Sequence, residues 1–118
     1  MIVLLFAMAA AHLMGERDIT RMERMLGGQT ALLGLADGNS GKEATTIYNT
    51  LKGAGVNVTR AKVGSGSGVT FQEGTKMDTD ISISEAKGQS YDLVVIPGGV
   101  KGAEALAGSG DMISILKS

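Results

Sequence analysis

Cysteine and tryptophan are absent from the 118-residue chain, and proline and histidine occur once each. Without cysteine there can be no disulfide framework, no thiolate-ligated zinc and no iron–sulfur cluster, and the chain carries no thiol nucleophile of its own. A single histidine excludes a His-rich metal site. Aromatic residues make up 3% of the chain, too few for a stacking platform on single-stranded nucleic acid. A basic excess is also missing. Eleven Lys and Arg stand against twelve Asp and Glu, for a formal charge of −1, which argues against nucleic acid as a partner. Glycine is plentiful at 18 residues, yet 43% of the chain is hydrophobic. The glycines therefore punctuate a folded chain, and its length suits one domain.

Residues 2–14 are apolar except for His12. As a helix, thirteen residues would rise about 20 Å, short of a membrane core of roughly 30 Å, so no membrane span is expected. Three readings fit residues 1–28. A secretory signal is suggested by the apolar run and Ala9-Ala10-Ala11, although no basic residue precedes Ile2. A mitochondrial presequence is suggested by Arg17, Arg21 and Arg24, although Glu16, Asp18 and Glu23 cancel them. The third is an ill-defined leader, or sequence upstream of a start at Met22 or Met25. All three set residues 1–28 apart from a domain at 29–118.

From Gln29 the pattern becomes regular. Thr30 to Ala36 is a short apolar run closed by Asp37-Gly38, which predicts a buried parallel strand. Ala44, Ile47, Tyr48, Leu51 and Ala54 share one face of a predicted helix. Ser40 and Glu43 have capping-box spacing at its start, and Gly55 suits a left-handed C-terminal cap. Val56 to Val63 alternates as a second strand, completing a right-handed β-α-β unit. Gly64-Ser-Gly-Ser-Gly68 reads as a linker. Val69 to Phe71 and Lys76 to Ile83 flank Glu73-Gly74 and predict a polar hairpin on the sheet edge. A brief helical turn is expected at Ser84-Glu85-Ala86. Leu93 to Ile96 is apolar and β-branched on consecutive positions, so both faces should be buried. Helices are expected from Lys101 to Ala107 and from Asp111 to Lys117.

Three motifs carry chemistry, each with a plain structural alternative. Ala36 to Glu43 has the strand, glycine turn and Gly41-Lys42 of a phosphate-binding loop. It fails that pattern at Ala36, where a glycine is needed, and at Glu43, where a metal-binding hydroxyl is needed. Glu43 reads either as a capping carboxylate or as a site residue at the carboxyl end of a strand, where open α/β sheets bind ligands. Pro97-Gly98-Gly99 reads either as a generic turn or as backbone N–H groups free to face a reacting oxygen.

Tyr91-Asp-Leu-Val-Val-Ile-Pro-Gly-Gly99 with Gly102-Ala103 resembles the ThiJ/PfpI superfamily, and within it the Parkinsonism-associated protein deglycase branch. Leu35-Ala36, Gly38, Glu43, Ala54-Gly55-Val56 and Val58-Thr59 follow the same pattern without gaps. The resemblance runs from Gln29 to Ser118. It implies an α/β, flavodoxin-like (class I glutamine amidotransferase-like) fold: an open, mostly parallel sheet with helices on both faces. It further implies a nucleophilic cysteine on a strand-to-helix elbow, tuned by the glutamate at Glu43, with the Gly99 N–H in an oxyanion hole. The implied activities are those of a glyoxalase or protein deglycase of the oxidative-stress response, acting on a small dicarbonyl such as methylglyoxal or on glycated protein. No cofactor or metal is implied. Homodimers are implied, in cytoplasm, mitochondrion or nucleus. The cysteine elbow and a later histidine region are missing, so the chain is expected to be the amino-terminal half of such a domain, inactive alone. The alternative is a non-catalytic dimerising or interaction fragment, akin to a redox sensor or chaperone. On either reading the Leu93 to Ile96 strand is expected to lack a neighbour on one side.

Overall fold

A computed structural model describes residues 29–117 in full and the backbone of residues 2–6. Strands β1 (Ile2–Phe6), β2 (Thr30–Leu35), β3 (Asn57–Lys62), β6 (Ile81–Ser82) and β7 (Leu93–Pro97) form one sheet in the order β1-β7-β2-β3-β6, with every pairing parallel. Helix α1 (Gly41–Gly53) lies on one face; α2 (Ile83–Ala86), α3 (Val100–Ala107) and α4 (Gly110–Lys117) lie on the other. This is the flavodoxin-like arrangement expected from the sequence.

Alternation along β2 feeds both layers. Ala31, Leu33 and Leu35 pack with Ile47 and Leu51 of α1, whereas Leu32 packs with Leu106, Met112 and Ile115 of α3 and α4. Val95 and Val94 of β7 divide in the same way. Consecutive apolar residues are thus required, because both faces of these strands are covered. Asp92 fixes the register of β7 on β2: its carboxylate accepts from the Thr30 N–H at 2.9 Å, and its own N–H donates to Thr30 O at 3.0 Å.

Helix α1 ends in the glycine cap that the sequence predicts. Gly55 has φ +83°, its N–H donates to Lys52 O, and the Val56 N–H donates to Leu51 O, each at 3.0 Å. That pair of bonds is a Schellman motif, with Leu51 and Val56 as its buried apolar contact. At the start of α1 only half of the predicted capping box forms. Ser40 Oγ accepts from the Glu43 N–H at 3.3 Å, but the Ser40 N–H donates to Gly98 O at 2.8 Å. The reciprocal box forms instead on α2, between Ser82 and Glu85.

Two expectations are corrected. The hairpin, β4 (Val69–Thr70) with β5 (Lys76–Met77), does not extend the main sheet. It is a separate antiparallel ribbon folded over α1, with Phe71 in the α1-side core; Ile81–Ser82 takes the sheet edge beside β3. The close approach needs Gly41, since a Cβ there would stand 2.7 Å from the Phe71 ring. The β7 strand also has no vacant side. Ile2–Phe6, assigned with residues 1–28 to a leader, pairs with it from Ile2↔Leu93 to Phe6↔Pro97. Residues 7–28, with the signal and presequence patterns and His12, lie outside the described residues. No helix among the described residues is long and apolar enough to cross a membrane.

Because Leu32 and Leu33 are both fully buried, in opposite layers, Leu32→Ala and Leu33→Ala are each expected to cost ~2–5 kcal/mol. Urea unfolding monitored by circular dichroism measures this. A cost below 1 kcal/mol for either would mean that its layer is not closely packed.

Candidate active site at the carboxyl edge of the sheet

The loops after β2 and β7 meet at the carboxyl edge, as expected for two adjacent parallel strands. Their meeting point is the side chain of Asn39, which is fully buried. Its Oδ1 accepts from the Ala36 N–H at 2.8 Å, and its Nδ2 donates to Pro97 O at 3.3 Å and Gly98 O at 3.1 Å. Gly98 O also accepts from the Ser40 N–H. Both loops are therefore locked into one unit by these hydrogen bonds, of which those to Ala36 and Pro97 are buried.

Glycine is needed wherever these loops touch. A side chain at Gly98 would run into the Glu43 carboxylate, one at Gly99 would strike the Asn39–Ser40 backbone, and one at Gly102 would strike the Asn39 amide. Gly99 also has φ +101°, a conformation that other residues adopt only under strain. Glu43, in the first turn of α1, thus has its carboxylate against Gly98. Of the two residues that the sequence singles out, Glu43 has its carboxylate at Gly98, and Gly99 packs on the Asn39–Ser40 backbone. Asn39 has no site signal in the sequence, because its place in a polar turn gives no hint of burial.

Nothing supports the phosphate-loop reading. The backbone N–H groups of Gly41 and Lys42, which a phosphate would need, both donate to the Glu73 carboxylate at 2.9 Å. Those two bonds hold the Glu73 carboxyl below its ordinary range. The β4–β5 ribbon is thereby strapped to the start of α1 by its own anion, in the position where a helix N-terminus favours one.

An open cavity of about 530 Å³ lies beside the joined loops, with Gly38, Thr70, Phe71, Val100 and Lys101 in its wall. Val100 is 74% exposed there. Among the described residues no group of three His, Cys, Asp or Glu could hold a metal ion.

The DJ-1/PfpI family model matches residues 29–118. The chain belongs to the DJ-1/PfpI family. It is 41% identical to protein DJ-1 homolog B of Arabidopsis thaliana over 86 residues, which are 73% of this chain and 20% of that protein. With protein dj-1beta of Drosophila melanogaster the identity is 30% over 90 residues, 76% of this chain and 48% of that one. Oxidized Toxoplasma gondii DJ-1 superposes with a TM-score of 0.74 at 32% identity, covering 76% of this chain and 49% of the other. The chain therefore spans about half the length of the Drosophila and Toxoplasma proteins, and a fifth of the Arabidopsis one.

Two variants test this architecture. Asn39→Ala leaves the Ala36 N–H and Pro97 O without their partner, and is expected to cost ~1–3 kcal/mol. Asn39→Asp sets a carboxylate against two carbonyl oxygens, so it should be at least as damaging at pH 7 and recover partly in acid. Urea titrations at pH 7 and pH 4 decide. An Asp variant as stable as the parent at pH 7 would mean that the amide donates to neither carbonyl.

The Glu73 strap predicts a pH effect. A carboxyl held below its unfolded value contributes stability that is complete above that value and lost as pH falls through the folded one. Glu73→Gln should therefore be less stable than the parent at pH 7, and the two should converge below the ordinary carboxylate range. Parallel denaturation curves from pH 7 to pH 3 measure this. A gap that persists unchanged to pH 3 would mean that the charge is not what holds the strap.

Proposed function

We propose that this chain supplies the acid–base and oxyanion half of a DJ-1-like active site acting on a small dicarbonyl such as methylglyoxal, or on its adducts with proteins. The thiol comes from outside these 118 residues, which contain no cysteine. The carrying observation is the Glu43 carboxylate packed against Gly98, the residue before Gly99. A thiol added at this edge would find a carboxylate to tune its ionisation and a backbone suited to a developing oxyanion.

In the reaction, sulfur attacks the aldehyde carbon and the carbonyl electron pair moves to oxygen, facing the Gly99 N–H. Glu43 takes the proton from that carbon and returns it to the neighbouring keto carbon, while the proton given up by the thiol ends on the keto oxygen, leaving a thioester. Water then releases the thiol, so one dicarbonyl and one water become one 2-hydroxy acid. The absence of a thiol within the chain favours a second reading for the chain by itself, a non-catalytic interaction or dimerising fragment. Cytoplasm, mitochondrion and nucleus fit either.

The test is a fusion in which Ser118 is followed by the remaining segment of Drosophila dj-1beta, which by family resemblance carries the cysteine elbow. The 118-residue chain alone should consume methylglyoxal no faster than buffer. The fusion should consume it, and Glu43→Gln in the fusion should lower the rate about 10²–10⁴-fold. A folded fusion with no activity, or with activity indifferent to Glu43→Gln, would overturn the proposal.

A further inference from the structure

Besides joining two loops, the Asn39 amide acts on one particular peptide group. Gly98 O, which accepts from Asn39 Nδ2 at 3.1 Å, shares its peptide bond with the Gly99 N–H. No peptide bond among the described residues is cis, so the carbonyl and the N–H leave that plane in opposite directions. Whatever holds the oxygen therefore aims the hydrogen. Two donors hold it, Asn39 Nδ2 and the Ser40 N–H at 2.8 Å. Both belong to the turn that opens α1. The Gly99 N–H is thereby pointed away from that turn.

The backbone does not hold this plane by itself. Gly98 and Gly99 are glycines because the Glu43 carboxylate and the Asn39–Ser40 backbone leave no room for a Cβ. Two consecutive glycines let the peptide between them rotate with little steric hindrance. The Asn39 amide removes that freedom. Its NH₂ group also donates to Pro97 O at 3.3 Å, so one side chain holds two successive carbonyls and fixes the rotation of Gly98 between them. A flipped plane would set the Gly99 N–H against the Asn39 and Ser40 donors, and would leave the buried Asn39 amide short of an acceptor. A carbonyl that accepts hydrogen bonds also polarises its own peptide group, which makes the N–H a stronger donor.

We infer that Asn39 is a positioning residue: by holding Gly98 O, it aims and strengthens the Gly99 N–H as the donor to the developing oxyanion. This deepens the proposed function, on which the role of that N–H rests. The Asn39 side chain is fully buried and acts only through the peptide it holds. Its effect belongs to the transition state, because the negative charge that the N–H meets develops there.

Two measurements test this. The first is nuclear magnetic resonance on the isotope-labelled 118-residue chain, and needs no thiol. The parent should show a coupling across the hydrogen bond between Asn39 Nδ2 and the Gly98 carbonyl carbon, so the test does not depend on a variant. In Asn39→Ser, whose shorter side chain falls short of Gly98 O, the Gly98 carbonyl and Gly99 amide resonances should move upfield. Gly55, at the far end of α1, should keep its resonances and so report that the variant is folded. The second measurement is steady-state kinetics of the dj-1beta fusion, per folded molecule. Asn39→Ser and Asn39→Ala should each lower kcat about 10–10²-fold with KM unchanged, less than deleting the donor would, because Ser40 still holds Gly98 O. Leu32→Ala, in the layer of α3 and α4, should lose stability but keep its kcat; a merely structural role for Asn39 would make its variants behave in the same way. No coupling in the parent, or unmoved Gly98 and Gly99 resonances in folded Asn39→Ser, would overturn the proposal. So would a fusion that depends on Glu43 yet keeps its kcat in both Asn39 variants, and the proposed function would then stand without the positioning. A folded fusion with no activity overturns the function instead, while the resonances still decide how the peptide is held.

Discussion

The side-chain amide of Asn39 holds the carboxyl edge together. It is the buried polar residue among those described, and it offers its oxygen to one loop and its nitrogen to the other. In a medium of low polarity such bonds are strong when complete and costly when broken, so the two loops have one arrangement available to them. The glycines follow from that arrangement. Gly98, Gly99 and Gly102 lie where the Asn39 turn and the Glu43 carboxylate leave no room for a Cβ. What looks in sequence like two separate glycine-rich turns is one contact surface with a polar pin through it.

The electrostatics of α1 are settled by its own neighbours. Two carboxylates, Glu43 and Glu73, stand at its amino-terminal turn, where the helix dipole stabilises negative charge. Glu73 takes the N–H groups of Gly41 and Lys42, and Ser40 Oγ takes that of Glu43. With the helix start satisfied from within, the Glu43 side chain need not serve as a cap. On the far side of α1, Arg60 pairs with Asp80 at 3.1 Å and lies 4.8 Å from the centroid of the Tyr48 ring. Bonding to Asp80 raises the Arg60 pKa, and bonding to Arg60 lowers that of Asp80. This pair braces β3 against the segment leading to β6, at a distance in sequence from the site loops.

Elements with their own periodicity could be read from the sequence. The runs at Thr30–Leu35 and Leu93–Pro97 bury both faces, the stripe on α1 buries one, and Gly55 has a local job that only its own backbone decides. Elements decided by distant neighbours could not be read in this way. Ser40 and Glu43 have capping-box spacing, but the Ser40 N–H is taken by Gly98, fifty-eight residues on. The hairpin was legible as a hairpin; its place over α1 depends on the Phe71 ring meeting Gly41, which no local pattern encodes. Asn39 carries no periodic signal, and its burial follows only from the loop that closes over it. The run from Ile2 gives length and hydrophobicity, but its pairing depends on the lane beside β7.

The positions of Glu43 and Gly99 are fixed without any help from a nucleophile. The carboxylate is held by the first turn of α1 and limited by the Gly98 backbone, and Gly99 is held in its positive-φ conformation by the Asn39–Ser40 turn. The arrangement of this edge is therefore set by the fold's own contacts. An arrangement of this kind costs stability in the isolated loops, where glycine gives up conformational freedom and an amide is taken out of water. The buried bonds of Asn39 offset that cost locally. Those bonds then hold the edge in its shape.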